Sequence, residues 1–225
     1  MTLDAARTHL IASLRRNGID QAAVLAAMAQ VPRERFVPAA LSDQAWADRP
    51  LPIGLGQTIS QPLVVAFMSQ ALQVEQHHRV LEIGTGCGYQ TAVLAKLVDR
   101  VYTMERHRSL LTAALARLAA LDLGGVEGRW GDGSQGWPEE APFDRIMVTA
   151  AAGPEPPPAL LEQLAVDGIM VLPLSESPGS GWGEQWLCRV VRSSSGFRRE
   201  DLWPVRFVPL IAGPLPDDPP GGPAS

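Results

Sequence analysis

The chain has 225 residues, 46% of them hydrophobic and 19% charged, which allows one domain with a sizeable core and excludes a disordered chain. The net charge is -5, and the basic residues are scattered arginines plus the single Lys96, so no nucleic-acid-binding footprint is present. Cys87 and Cys188 stand about 100 positions apart without a CxxC pair, which excludes a disulfide framework or a zinc site and fits a reducing compartment.

The opening MTLDAARTHLIASLRRNG interrupts its apolar residues with Asp4 and several arginines, unlike a signal peptide. No window approaches the roughly 18 apolar residues that a membrane span needs. The expectation is a soluble, cytoplasmic protein. Leu3, Ala6, Leu10 and Leu14 share one helical face, and Asn17-Gly18 ends that helix. Asp20 stands at the N-cap position of a second helix carrying Val24, Met28 and Val31. From Pro32 to Pro62 prolines and glycines are too frequent for regular elements, so LPIGLGQTISQP reads as a structured loop held by Leu51, Ile53, Leu55 and Ile59.

A helix from about Pro62 to Val74 leads into a strict alternation. RVLEIG is a strand, YQTAVLAKLV a helix, RVYTME a strand, SLLTAALARLAALDL a helix, and VEGRW and FDRIMVTA are strands. A helix over PPALLEQLAVDG and a strand over IMVLPL complete the series. This order predicts an α/β fold with a mainly parallel sheet and helices on both faces. QWLCRVVR and LWPVRFVPLI have no helix between them and close the sheet antiparallel. The expected organisation is one domain over residues 1–212: helices and loop 1–75, core 76–175 and C-terminal strands 176–212. A Pro/Gly-rich tail over 213–225 is expected to be disordered.

The sharpest local signal is Glu82-Ile83-Gly84-Thr85-Gly86-Cys87-Gly88, between the first core strand and its helix. Glycines there let the backbone turn through positive φ and approach a ligand closely. The GxGxxG spacing of a dinucleotide fingerprint fails, because position 89 is tyrosine, which disfavours a nicotinamide dehydrogenase. Glu105 ends the second strand, and Asp132-Gly133 follow the third, at the carboxyl ends where open α/β sheets bind ligands. Taken singly, Glu105 fits a solvated strand end, Asp132 an Asx turn and Ser60 the N-cap of the helix beginning at Pro62. Cys87 has no histidine nearby to activate it and reads as a loop filler, and Lys96 points to solvent. His9, His77, His78 and His107 are expected at the surface, with no metal site.

The acid followed by GxGxG in EIGTGCG resembles the first motif of the S-adenosylmethionine-dependent methyltransferases. The stretch from Asp48 to Pro62, with VPRERFVP, VLEIGTGCGYQTAVLA, GDGSQGW, FDRIMVTAAA, LLEQLAVDGIMVLPL and FVPL, closely resembles the protein-L-isoaspartate O-methyltransferase family. The resemblance runs from the N-terminal helices to about Leu210, and PIG.GQTIS.P is its specific part. It implies the Rossmann-like S-adenosylmethionine methyltransferase fold and S-adenosyl-L-methionine as cofactor. Gln57, Thr58, Ile59, Ser60, Glu82, Gly84, Gly86, Glu105, Asp132 and Gly133 would then bind it, Glu105 through the ribose hydroxyls and Asp132 through the adenine amino group. Thr58 and Ser60 would also meet the acceptor, with Ser60 the active-site residue.

The implied reaction methylates the free α-carboxylate of an isoaspartyl residue. The ester then collapses to a succinimide that partly hydrolyses to aspartate, which is protein repair. The alternative is a related carboxyl methyltransferase acting on a dedicated biosynthetic peptide. A non-catalytic cofactor-binding module is disfavoured, because Ser60 and the loop glycines are intact. The expected partners are isoaspartyl peptides and proteins, with neither nucleic acid nor membrane, and no interface pattern argues against a monomer. Trp46 stands where the family often has tyrosine, and the SESPGSGWGEQ stretch is longer than usual and could reshape the peptide groove.

Overall fold

The computed structural model describes residues 2–176 and 184–216. Residues 177–183, within SESPGSGWGEQ, and 217–225, within the expected disordered tail, lie outside the described residues.

Helix α1 (Leu3–Arg16) begins where the Thr2 hydroxyl accepts from the Ala5 N–H at 3.3 Å, and it buries Leu10 and Leu14. Asp4 in its first turn and Arg15 and Arg16 in its last complement the helix dipole. Helix α2 (Ala22–Gln30) buries Val24, Leu25 and Met28 in the same cluster. Its cap differs from expectation: the N-cap is Gln21, and Asp20 does not cap. Instead Gln70 Oε1, from a later helix, accepts from the N–H groups of both Asp20 and Gln21 at 3.0 Å. A side chain about fifty residues away thus fixes the backbone that enters α2.

After 3-10 turns over Arg33–Phe36 and Ala39–Gln44, the expected loop LPIGLGQTIS folds as a hairpin of β1 (Leu51–Gly54) and β2 (Gln57–Ile59). Leu55 and Gly56 form its two-residue turn at φ +52° and +71°, the pattern of a type I′ turn. Leu51, Ile53 and Ile59 are buried while Leu55 is exposed, so pairing places alternate residues on one covered face. Helix α3 (Pro62–Ala71) follows, with Pro62 in its first turn. Ser60 is not its cap. Asp48 Oδ1 accepts from the Leu63 N–H at 2.9 Å, and Asp48 Oδ2 accepts from Gln61 Nε2 at 3.1 Å.

The remaining elements are β3 (Arg79–Ile83), α4 (Tyr89–Ala95), β4 (Arg100–Glu105), α5 (Arg108–Ala119), β5 (Val126–Trp130), β6 (Phe143–Val148), α6 (Pro158–Gln163), β7 (Leu164–Ser175), β8 (Gln185–Ser193) and β9 (Gly196–Val205). They form one sheet in the order β5-β4-β3-β6-β7-β8-β9, parallel from β5 to β7 and antiparallel at β8 and β9. Successive residues of β3 enter opposite cores, Leu81 and Ile83 in one and Val80 in the other. The chain runs outward through β3, β4 and β5, then returns to the far side of β3 as β6. That reversal opens a crevice at the carboxyl ends of β3 and β6. A further apolar cluster joins α1, α2 and the hairpin to Tyr89 and Val93 of α4 and Leu110 of α5.

Three boundaries differ from the expected ones. The helix over PPALLEQLAVDG stops at Gln163, and LAVDG belongs to β7. Leu164 pairs with Phe143 and is wholly buried, and the register shift that follows admits Asp167 at φ +64°. Pairing with β6 therefore overrides the apolar spacing. In LWPVRFVPLI only the first four residues belong to β9, and Pro209 instead bridges Ala151. At the start of the tail, Gly213 N–H donates to Asp132 Oδ2 at 2.8 Å and Pro214 O accepts from Arg106, so these two residues are held against the domain.

His78, expected at the surface, is buried. Its Nδ1 accepts from the Glu75 N–H at 2.8 Å, and burial pushes its pKa down. Glu75, His77 and His78 offer ligand atoms within 4.8 Å of one another, but they lead into β3 at the end opposite the crevice. No described helix is long and apolar enough to cross a membrane.

Candidate active site

The crevice floor is the Gly84–Gly88 turn, whose three glycines have φ of +96°, +54° and +89°. At Gly84 a Cβ would lie 2.3 Å from Thr149 Oγ1, at the end of β6. That hydroxyl sits 3.0 Å from Ile83 O and 2.7 Å from Gly84 O, so it donates into the turn and sets its height. At Gly133 a Cβ would lie 2.4 Å from Ile83 Cγ2, so the segment after β5 also presses its backbone against the end of β3. Gly84 needs glycine for space as much as for φ, and Gly133 for space alone.

Glu105, at the end of β4, is almost wholly buried. Its Oε2 accepts from the Gly86 N–H at 2.8 Å, and its Oε1 accepts from the His107 N–H at 3.0 Å. A carboxylate offers about four lone-pair sites, so one acceptor site per oxygen remains for two further donors. A ribose with two neighbouring hydroxyls fits that demand.

The crevice wall includes Gln57, Thr58, Ile59 and Ser60 of the hairpin, the turn glycines Gly84 and Gly86, and Glu105, Gly133 and Thr149. Val208 and Leu210 close it from the C-terminal segment, where Leu210 N–H donates to Ala151 O at 2.7 Å. Arg106 donates to the carbonyls of Ile211 and Pro214, holding that segment across the ends of the strands. A second cleft, lined by Pro50, Leu63, Trp203, Arg206 and Phe207 among others, shares Thr58, Ser60, Thr149 and Val208 with the first. Ser60 lines that shared wall, and its hydroxyl makes no hydrogen bond to any described residue.

Two residues of the sequence-derived set lie elsewhere. Glu82 is fully buried beneath the turn rather than in the crevice wall, with Oε2 accepting from Thr91 Oγ1 at 2.5 Å and Thr103 Oγ1 at 2.6 Å and Oε1 unbonded. Asp132 takes the Asx-turn arrangement: Oδ1 accepts from the Ser134 N–H at 2.9 Å and hydroxyl at 2.7 Å, Oδ2 from Gly213, and only Gly133 beside it reaches the crevice. Thr149 and the Val208–Leu210 segment were missed. A threonine closing the strand beside the sheet's reversal point is a signal that could have found the former; the latter depends on the path after β9.

Burial pushes the Glu82 carboxyl up to about 7, with the Thr103 and Thr91 hydroxyls opposing and the Glu105 charge adding to the rise. The folded state therefore holds this proton more tightly than the unfolded chain, and the resulting stabilisation is present below the ordinary value of 4.5 and lost as pH rises to about 7. Glu82→Gln is expected to flatten that part of the unfolding free energy by about 3 kcal/mol, raising stability at alkaline pH relative to the parent. Chemical denaturation in a pH series checks it; an unchanged slope means Glu82 carries no such proton.

The family model for protein-L-isoaspartate(D-aspartate) O-methyltransferase matches residues 5–214. The chain belongs to this family. Protein-L-isoaspartate O-methyltransferases of Rhodospirillum centenum and Rhodospirillum rubrum are each 54% identical to it, over 97% of this chain and 97% of the first relative, and 98% of this chain and 100% of the second. A solved protein-L-isoaspartate O-methyltransferase superposes with a TM-score of 0.80 at 26% identity, covering 93% of this chain and 67% of its own. A Plasmodium falciparum structure described as a β-aspartate methyltransferase, in complex with S-adenosyl-L-homocysteine, gives 0.76 at 27% identity over 90% of this chain and 97% of its own. The sheet order and the glycine turn are thus those of an S-adenosylmethionine methyltransferase fold. The stretch PIGLGQTIS is the hairpin and its exit, and Thr58 and Ser60 within it line both clefts.

Proposed function

We infer that this chain transfers the methyl group of S-adenosyl-L-methionine to the free α-carboxylate of L-isoaspartyl residues in damaged peptides and proteins. The observation that carries the reading is the junction of the two clefts at Thr58, Ser60 and Thr149, in a chain that is a family member along nearly its whole length. One cleft fits the cofactor by the spare acceptor sites of Glu105 and the close-packed glycines; the other is open for a polypeptide. Relatives at 54% identity carry the repair enzyme's name, and nothing favours a dedicated biosynthetic peptide.

S-adenosylmethionine, when bound, supplies a methyl group already activated on a sulfonium. The acceptor carboxylate is ionised at neutral pH, so the chain has no proton to remove and its work is alignment. Ser60 donates its hydroxyl proton to one carboxylate oxygen and leaves the other to react, a charge-assisted hydrogen bond that also fixes the acceptor's rotation. Thr58 flanks it in the shared wall, Gln57 and Ile59 complete the hairpin side, and Gly84, Gly86, Glu105 and Gly133 hold the cofactor side. Glu82 acts from below, through Thr91 and Thr103, and Asp132 acts by fixing the turn that presents Gly133. Covalent catalysis by a thiol has no support: both cysteines are buried, and burial pushes the Cys87 thiol up and Cys188 to about 12.

Residues 1–212 are read as one methyltransferase domain, supported by the apolar cluster that unites α1 and α2 with α4 and α5. Two free cysteines support a reducing, cytoplasmic setting, and a net charge of -5 supports a polypeptide acceptor over nucleic acid; the monomer reading rests on the absence of an interface pattern in the sequence.

The test is labelled S-adenosylmethionine with an isoaspartyl peptide and its normal aspartyl twin. Base-labile methyl groups are expected on the isoaspartyl peptide only. Equal labelling of the two, or none, overturns the reading.

A further inference from the structure

Arg33 lies in the 3-10 turn Arg33–Phe36 and has no exposed surface. Its Nε donates to Ala45 O at 2.8 Å and its Nη2 to Ser60 O at 2.7 Å. The guanidinium carbon stands 4.6 Å from the centroid of the Tyr89 ring, which Phe36 meets edge-on at 5.5 Å. Nη1 is buried without a hydrogen bond, and no carboxylate among the described residues forms an ion pair with Arg33.

A cation desolvated in this way is costly, and an unbranched apolar side chain would fill the same volume without that cost. What the apolar side chain cannot do is join three segments. A rigid planar fork donates to two carbonyls while its central carbon stands over an aromatic ring, and a lysine lacks the fork. The segments joined are the exit of the hairpin at Ser60, the end of the 3-10 turn at Ala45, and Tyr89, the first residue of α4 directly after the glycine turn. Arg33 lines neither cleft, so whatever it does to the reaction passes through those partners.

We propose that Arg33 is a positioning residue for methyl transfer, holding the Ser60 backbone so that the Ser60 hydroxyl stays at the junction of the two clefts in fixed register with the glycine turn. The proposal rests on the methyl-transfer reading above and deepens it. It assigns the fixed geometry of the acceptor-side hydroxyl to a side chain 27 residues earlier that never meets the acceptor.

The experiment compares Arg33→Met and Arg33→Lys with the parent chain, using the isoaspartyl peptide for kinetics, S-adenosylhomocysteine for equilibrium binding and thermal melting for integrity. In Arg33→Met kcat is expected to fall about 100-fold, the scale of a misplacement near 1 Å, with S-adenosylhomocysteine affinity within about threefold of the parent. Arg33→Lys keeps the charge and is expected to lose kcat on the same scale, because the fork that joins the two carbonyls is gone. A simply structural role would lower kcat, cofactor affinity and melting temperature together. Such a joint loss, a kcat near the parent's in either variant, or failure of both variants to fold overturns the proposal. A parent chain inactive on the peptide removes the methyl-transfer reading itself, whereas an active parent with unaffected variants removes the Arg33 assignment alone.

Discussion

Ser60→Ala is expected to lower kcat by about 100-fold while leaving S-adenosylhomocysteine affinity within about threefold, since a hydrogen bond to a charged group contributes about 1.5–3 kcal/mol. The size follows from what the hydroxyl does. Ser60 lines the wall common to both clefts, its hydroxyl is uncommitted to any described residue, and the helix behind it is capped by Asp48 instead. Removing the hydroxyl therefore breaks no bond that holds the fold. The Ser60 carbonyl stays bonded to Arg33, so the alanine backbone keeps its place and the loss falls on the acceptor carboxylate. Initial rates with labelled cofactor, set beside calorimetric titration of S-adenosylhomocysteine, separate the two quantities. Equal losses in turnover and in cofactor binding would show that the hydroxyl is structural.

Gly84→Ala is expected to have the other large effect, on binding and stability together. A Cβ at this position meets Thr149 Oγ1 at 2.3 Å and is carried on a backbone at φ +96°. Relief requires Thr149 to swing away and abandon its contacts with Ile83 O and Gly84 O, which hold the turn at its height. Strain of about 1–3 kcal/mol from the backbone adds to about 1–3 kcal/mol for buried groups left unpaired. Cofactor affinity should fall more than 100-fold, because the turn is displaced at the cleft floor, and the melting temperature should drop by several degrees. The double variant Gly84→Ala with Thr149→Ala separates the causes: the clash disappears, the φ strain remains, and only part of the stability should return. Full recovery would mean that the backbone tolerates alanine there; no recovery would mean that Thr149 was never the obstacle.

The alternation of strands and helices was readable because periodicity and glycine placement are properties of a few neighbouring residues. The same holds for the turn at Gly84–Gly88 and for the acid ending β4, whose position at a strand's carboxyl end follows from the order of elements. Glu105 shows how far such reading goes. Its location was expected, but the Gly86 and His107 N–H groups on its two oxygens, and the acceptor sites left over, were not. The hairpin was less legible, because Leu55 in a left-handed turn is an uncommon choice that only pairing of its strands maintains. The boundary between α6 and β7 failed for the same reason: LAVDG carries helical spacing, and pairing with β6 decided against it.

The order of chain segments and the glycine turn were determined by the sequence, since each depends on residues close together in the chain, whereas the carboxylate acceptor followed from the resemblance of the Asp48–Pro62 stretch to a known family. Tertiary structure alone decided that Gln70 fixes the chain entering α2 and that Asp48 leaves Ser60 uncommitted, that Glu82 and Asp132 support the site from behind while Thr149 stands in its wall, and that Arg33 ties Ser60 to the start of α4. These are pairings of donors and acceptors distant in sequence or choices between competing partners, and which pairing wins is set by the geometry of the packed chain, where a buried polar group left unpaired is costly.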